Sequence, residues 1–439
     1  MQSQSGAYIT SMGTFLPGEP IGNDDMEAYL GRINGKSSRL RGRILKSNGI
    51  TSRHYAIDQE QRTTHQNSEL AALAVLNCLG RSPVDAADVD MLAVASTQGD
   101  LPLPGIASIV QSALNLPPCE ILSTHGVCSS GIMALKSAVN NVRLGEAQNA
   151  VVCASELASR LLKGSRYEMA NAEALNFEAE FLRWMLSDGA GAMLVQPQAR
   201  KGGLSLRVNW IKILSYAADF NLCMSCGTAE QKAWTAPLSG GDTGVGVVEA
   251  GASAGSDLPA IGSAIAGVTN SLPMTGGASS TTLCLHRPPV SPHRFFPDAV
   301  SWQDYPSYAL AEKAGALLIR QDLKTLEAIV RVGVEGFLKL TSAGKVSAGE
   351  IDHFVCHYSS HYFRSEIMKL MKLLGCYIPE EKWFSNLYTK GNTGCAAIFI
   401  ALEELFLSGR LIPGQTVFCV VPESGRFCTA YMHLTVMEG

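Results

Sequence analysis

Residues 124–135 read Thr124-His125-Gly126-Val127-Cys128-Ser129-Ser130-Gly131-Ile132-Met133-Ala134-Leu135. A cysteine heads a run of small, helix-compatible residues. Beyond it Met133, Leu135, Val139 and Val142 fall mostly on one helical face, so the spacing predicts a helix over 131–144. Cys128 then sits at or just before a helix N-terminus, where unpaired N–H groups and the helix dipole favour an anion. A thiol so placed can titrate between about 3.5 and 7.5 rather than near 8.5. Thiolate is the form that takes an acyl group from another thioester. Gly126, Ser129, Ser130 and Gly131 leave space for a substrate chain. A buried core cysteine is the competing use of the residue.

Compact apolar runs at 90–95 (DMLAVA), 150–154 (AVVCA) and 190–195 (AGAMLV) read as buried strands. Helical patterns at 68–79 and 105–114 alternate with them. The second half repeats the rhythm: a long amphipathic helix over 323–340, a strand at 351–357 (IDHFVCH), a helix over 393–407, and strands at 415–421 and 429–436. Strands alternating with helices predict an α/β fold with a substantial sheet. Two halves, 1–200 and 201–439, are the expected domains. Their shared rhythm is compatible with duplication without establishing it.

One segment breaks the pattern. From 236 to 292 the chain is rich in Gly, Ser, Ala and Pro, and it holds no Lys or Arg between Lys232 and Arg287. A structureless stretch of that length is unusual inside a compact domain. The expectation is an inserted flexible segment in the second half; a small subdomain or a non-native stretch are the other readings.

The 439 residues are 46% hydrophobic and 17% charged, with a formal net charge of -4. That composition supports a large core and gives no sign of nucleic acid or an anionic membrane as the main partner. No apolar run reaches the length of a membrane span. The N-terminus shows no basic region followed by an apolar run, and twelve cysteines without such a signal read as reduced thiols. A cytoplasmic protein is expected. Cys223 and Cys226 form a lone CxxC without a partner pair, which reads as chance rather than a zinc site.

Two further positions carry chemistry. His357 ends an apolar run and enters a polar turn, a suitable place for a hydrogen-bonding or proton-transferring imidazole. His353 and His361 compete for that role. Asn392 stands between Gly391 and Gly394 ahead of a small-residue helix. It suits a structural turn, or an amide donor aimed at an oxyanion.

Together these positions resemble the 3-oxoacyl-acyl-carrier-protein synthase III group of the thiolase superfamily. The resemblance is carried by Cys128-Ser129-Ser130-Gly131, Ile351–His357, Gly391-Asn392-Thr393, the Asp188-Gly189-Ala190-Gly191-Ala192 run, Asn48-Gly49-Ile50 with Arg53, and Gly409–Gly414. It covers the chain outside the insertion. It implies a five-layered α-β-α-β-α thiolase-like fold from two similar halves, acting as a homodimer. It further implies acyl transfer to Cys128 from a coenzyme A or acyl-carrier-protein thioester, and a carbon–carbon bond formed as His357 and Asn392 hold the second thioester's carbonyl. No metal or redox cofactor is implied.

Three positions depart from the family. Arg43 stands where the family has a tryptophan that contacts coenzyme A, and Ser47 where it has the arginine just before its Thr-Gly-Ile element, which gives carrier-protein donors more weight. Residues 421–427, Val-Pro-Glu-Ser-Gly-Arg-Phe, replace a glycine-rich loop that lines the family's site. His54–Asp58 and His357–His361 are similar to the branch that forms dialkylresorcinols and cyclohexanediones. In that branch a second base would serve a donor that does not decarboxylate, and Glu156 is the candidate; a carboxylate favoured by a helix N-terminus is its other reading. The rival enzymatic readings are a primer-type decarboxylating synthase and an acyltransferase or hydrolase without carbon–carbon coupling. A non-catalytic partner subunit fits poorly, because Cys128, His357 and Asn392 are all retained.

Overall fold

The computed structural model describes residues 6–171, 174–229 and 299–439. The segment 236–292 lies outside the described residues, as does the expectation attached to it.

Ten strands share one sheet. The first five are β1 (Tyr8–Phe15), β2 (Met91–Ser96), β3 (Glu120–His125), β4 (Ala150–Glu156) and β5 (Gly189–Gln196). The second five are β6 (Leu204–Ser215), β7 (His353–Cys356), β8 (Trp383–Phe384), β9 (Thr416–Glu423) and β10 (Cys428–Glu438). Their order across the sheet is β3-β2-β4-β5-β1-β6-β10-β9-β7-β8. Counted outward from the centre, each half has its first strand, then its fifth, fourth, second and third. The directions repeat too. β1/β5 and β5/β4 are antiparallel while β4/β2 and β2/β3 are parallel, and β6/β10, β10/β9, β9/β7 and β7/β8 follow suit. The halves are therefore topological copies, joined where Tyr8 and Ile9 of β1 pair with Arg207 and Leu206 of β6.

Side-chain alternation along these strands builds the layers. Met91, Ala93 and Ala95 of β2 face a central core, as do Val417, Cys419 and Val421 of β9. Leu92 and Val94 face an outer core with α1 (Asn67–Gly80) and α2 (Ile106–Ala113). Phe418 and Val420 face the opposite outer core, where α4 (Ala328–Ser342) and α5 (His361–Leu373) pack. The central core holds α3 (Ser130–Leu144) and α6 (Ala397–Leu407) back to back. The two halves of the sheet thus form separate layers, in the thiolase-like order of helix, half-sheet, helices, half-sheet, helix. Glycine permits the close central packing. A Cβ on Gly191 would lie 2.6 Å from Phe399 Cβ, and one on Gly131 would lie 2.7 Å from the Cys395 carbonyl oxygen. Such approaches leave no room for a larger residue.

Several boundaries differ from the sequence expectation. The helix expected over 323–340 is two helices, Leu323–Leu326 and Ala328–Ser342. The short one starts where Asp322 accepts the N–H groups of Lys324 and Thr325, a side-chain cap that the apolar periodicity does not reveal. Strand β7 stops at Cys356, so His357 lies just beyond its end. Strand β3 has no sequence signature because it is the sheet edge, with Glu120, Ile121, Ser123 and His125 exposed. Among the described residues no helix is long and apolar enough to cross a membrane.

Candidate active site

The topological copies set the site. Cys128 immediately precedes α3 and its cap residue Ser129, while Asn392 precedes α6 by a short helical turn, Gly394–Ala396. His357 follows β7. A cavity of about 480 Å³ is lined by Cys128, Glu156 and Asn392, and its far walls include Leu161, Phe181, Met185 and Leu326. A smaller adjoining space is lined by Cys128 and His357. Asn392 and His357, the other two residues named from sequence, thus each share a space with Cys128.

Asn392 is held by its backbone and by one end of its amide. Its N–H donates to Met185 O at 3.1 Å, its carbonyl accepts from Ser187 N at 2.9 Å, and its Oδ1 accepts from Gly394 N at 3.0 Å. Pinning Oδ1 turns Nδ2 toward the cavity, and no hydrogen bond from Nδ2 is present among the described residues. His357 is fixed by its backbone N–H on Val420 O at 2.9 Å. Its Nε2 is buried without a hydrogen-bond partner among the described residues. Burial pushes the imidazole from 6.5 down to about 4, so it is neutral at working pH. Two uncommitted nitrogens thus face the space around the sulfur. A buried polar atom without a partner carries a cost that a ligand's oxygen can relieve. His361 pairs instead with Tyr388 OH at 2.8 Å, and His353 pairs with Gln415 at 2.9 Å.

Cys128 itself differs from the sequence expectation. Its thiol is pushed up, not down: burial is the main cause, followed by the negative charges of Glu423 and then Glu156. The helix N-terminus is present as expected, but these three influences oppose it.

Glu156 ends β4 and is 6% exposed. Its Oε1 accepts from Thr97 Oγ1 at 2.6 Å and from Cys395 N at 3.1 Å. The carboxylate therefore sits beside the short helical turn Gly394–Ala396 that precedes α6, the opposite half's central helix. It also lines the cavity beside Cys128 and Asn392. Burial pushes its carboxyl up against those hydrogen bonds.

The sequence named the Asp188 motif without a task for it. Asp188 is fully buried and accepts from Ala56 N at 2.6 Å and from Ser159 N at 2.9 Å. Its neighbour Ser187 holds the Asn392 carbonyl. These partners are remote in sequence, so no local signal points to them. Arg43, one of the departures, lies over the Phe177 ring at 5.9 Å. Cys223 accepts from Gln321 Nε2 at 2.9 Å while Cys226 turns toward Ala316 O at 3.7 Å, so the CxxC thiols have separate partners.

Comparison with known proteins bears on the same residues. Residues 123–211 match the profile of 3-oxoacyl-[acyl-carrier-protein] synthase III, and 341–432 match the profile of that enzyme's C-terminal segment. The first match contains Cys128 and the second contains His357 and Asn392. A beta-ketoacyl-[acyl-carrier-protein] synthase III of Caulobacter vibrioides is 29% identical over 196 residues, covering 45% of this chain and 53% of the relative. One from Bordetella petrii is 30% identical over 203 residues, covering 46% and 56%. The chain thus spans about half the length of the curated relatives it matches. Among solved structures, the tetronic acid condensing enzyme AbyA1 superposes with a TM-score of 0.66 at 18% identity, covering 99% of this chain and all of that one. Xanthomonas campestris OleA with bound lauric acid and lauroyl-CoA gives 0.65 at 16%, covering 99% and 100%. The Aquifex aeolicus synthase III gives 0.61 at 18%, covering 98% and 100%. The chain has the thiolase-like fold of these synthases.

Proposed function

From a chain that carries both 3-oxoacyl-[acyl-carrier-protein] synthase III segments on a thiolase-like fold, we propose a condensing acyltransferase that uses Cys128 as acyl carrier. The supporting observation is that Cys128 lines two adjoining spaces, one shared with Asn392 and the other with His357, whose Nε2 is buried without a partner among the described residues. The sulfur displaces the thiol of an acyl thioester. The second thioester then seats its carbonyl oxygen on Asn392 Nδ2 and His357 Nε2, which stabilise the enolate left by loss of carbon dioxide or of a proton. The enolate carbon attacks the acyl carbonyl, the new carbon–carbon bond forms, and the Cys128 carbon–sulfur bond breaks. The apolar far walls suit an alkyl acyl chain. Donors are acyl-carrier-protein or coenzyme A thioesters, and the departures at Arg43 and Ser47 favour the carrier protein. No metal or redox group takes part in this scheme.

The finer reading is condensation toward a dialkylresorcinol or cyclohexanedione precursor, with a donor deprotonated rather than decarboxylated. Glu156 favours it as the second base, since its carboxylate lines the cavity beside Cys128. Release of carbon dioxide from a malonyl donor would replace this with the primer-type reading.

Intact-mass measurement after incubation with acyl-carrier-protein and acyl-coenzyme A thioesters tests the proposal. Wild type is expected to gain one acyl group, and Cys128→Ala none. Equal gain in both rules out Cys128 as the carrier, and ester, amide or free-acid products alone rule out coupling.

A homodimer is part of the proposal. Among the described residues strand β3 is a sheet edge, and Ile121 (42% exposed) on it, with Leu101 (56%) and Leu103 (83%) on the loop between β2 and α2, stand exposed. Such an edge invites a further strand, and a second copy supplies one. Light scattering is expected to give twice the chain mass for wild type and the chain mass for Leu122→Pro; a monomeric wild type refutes the dimer.

A further inference from the structure

Residues 28–57 hold seven Lys or Arg and no Asp or Glu, in a chain whose formal net charge is -4. Three of those cations are engaged inside the protein. Arg32 and Arg41 pair with Glu27 at 3.8 and 3.5 Å, and the buried Arg53 donates to Asn23 Oδ1 at 2.6 Å. The other four, Lys36, Arg39, Arg43 and Lys46, are exposed and have no acidic partner among the described residues. Arg39 stands just ahead of the helix Arg41–Asn48, and Arg43 and Lys46 lie on it. Their spacing of four and three residues carries them along one side of that helix.

Local physics opposes this arrangement. Like charges three or four residues apart on a helix repel. Cations in the first turn work against the helix dipole, and that turn holds Arg41 and Arg43 with no acid. Leu40 caps the helix without a side-chain hydrogen bond, and Gly42 lowers its propensity. The carboxylates nearby are already used: Glu27 holds Arg41 and Ser38 N, the latter at 2.9 Å, and Glu180 accepts from Ser38 Oγ at 2.5 Å. An exposed element that breaks several local rules without compensation inside the chain marks a functional surface, and the compensation it lacks is negative charge. Its position supplies the context. Ser360 Oγ donates to Ser47 O at 3.4 Å, and a Cβ on Gly49 would lie 2.9 Å from His361 Cβ. Ser359, one residue back, lines both spaces that Cys128 lines. Arg43 lies over the Phe177 ring, and Phe177 is 5.9 Å between centroids from Phe181, a wall of the cavity. The stripe therefore runs along the flank of the cavity. On α5, which packs against this helix, Arg364 and Lys369 are paired with Glu380 and Glu366.

We propose that Lys36, Arg39, Arg43 and Lys46 form the docking surface for an acidic acyl-carrier protein, whose thioester-bearing arm reaches Cys128 past Ser359. The acidic face of such a carrier complements four cations that have no partner in the chain, and the seat lies beside the space its arm must enter. Charges at the rim of an interface act mainly on encounter, so their effect falls on association and weakens as salt is raised. The arm's destination rests on the reading of Cys128 as the acyl acceptor; the docking itself does not.

The test compares wild type with the double variant Arg39→Glu/Lys46→Glu, using a fatty-acid-synthesis acyl-carrier protein and coenzyme A that bear the same acyl group. Both positions are exposed, and the exchange turns repulsion from Arg43 into attraction, so folding is not at risk; circular dichroism checks it. Acyl transfer to Cys128 is read by intact mass. With the carrier protein at low ionic strength, KM is expected to rise at least about tenfold with kcat kept, the gap closing as salt is raised. With coenzyme A both constants are expected to stay at their wild-type values. Arg39→Lys/Lys46→Arg keeps the charge and is expected to keep the wild-type KM for the carrier. An unchanged carrier KM in the double variant overturns the inference. So does an equal rise with coenzyme A, because the stripe then serves the donor's phosphates or the fold. Loss of binding to phosphatidylglycerol vesicles beside unchanged carrier loading makes the surface a lipid seat and overturns it too. Fluorescence anisotropy with the carrier protein lacking its arm reads docking apart from chemistry. A wild type that accepts an acyl group from neither donor, yet binds the armless carrier where the double variant does not, sinks the functional reading and upholds the docking surface.

Discussion

Asn392→Ala and His357→Ala are each expected to lower the condensation rate by about 10²–10³-fold while Cys128 still accepts its acyl group. Each substitution removes one donor from the pair facing the cavity, and loss of a single oxyanion donor typically has that effect. The amide is aimed before substrate arrives, because Gly394 N holds its Oδ1 and the backbone is fastened to Met185 and Ser187. The imidazole is kept neutral by burial, so it donates a hydrogen bond rather than presenting a fixed positive charge. Its pH dependence follows with a definite sign. Protonation needs a fall toward about pH 4, not 6.5, so no acid limb near 6.5 in the condensation profile should belong to His357. Single-turnover loading measured by mass, beside steady-state product formation, separates the two steps. Equal losses in loading and condensation would show that these residues support the fold or the first transfer, not the enolate. An Asn392→Asp enzyme gives a sharper comparison. The isosteric carboxylate keeps the contact with Gly394 N but presents a negative oxygen where the enolate forms, so it should be at least as slow as Asn392→Ala.

The proposed nucleophile could be picked out because its chemistry is written locally: an elbow of small residues and the helix that follows are contiguous in the chain. His357 and Asn392 were legible only in combination, since each has an ordinary structural use. The thiol's ionisation was not legible. The helix N-terminus behind Cys128 is a local feature, while Glu423, nearly three hundred residues away, reaches it only through the sheet. The loop at 421–427 could be marked from sequence as a departure, yet its conformation depends on contacts with Phe220, Tyr216 and Cys223. The strand–helix rhythm was visible, and the identity of strand order between the halves was not. That order depends on β3 and β8: the first is an exposed edge without alternation, and the second has only two residues.

Asp188→Asn is expected to lower stability by about 3 kcal/mol and to disturb Asn392 without touching the cavity. The carboxylate accepts from Ala56 N through Oδ2 and from Ser159 N through Oδ1, so both of its sides face backbone donors. An amide offers one acceptor oxygen and one NH₂ group. Whichever way it turns, a donor meets a donor in a site with no water-exposed surface, at about 1–3 kcal/mol for each orphaned group. Burial pushes the carboxyl up to about 6, so above that pH wild type carries the charge that those donors stabilise. Ser159→Ala removes only the hydroxyl's bond to Oδ2 and should cost about 1 kcal/mol, which calibrates the larger effect. Urea unfolding at pH 7.5 measures both, with equal m-values showing that stability alone has changed. The effect on catalysis travels along one connection. Asp188 anchors the segment whose neighbour, Ser187 N, holds the Asn392 carbonyl at 2.9 Å. A slackened anchor should therefore slow condensation more than acyl loading. A loss below about 1 kcal/mol in Asp188→Asn would mean that Ala56 and Ser159 find other acceptors, and that the Ser187–Asn392 contact holds without the Asp188 anchor.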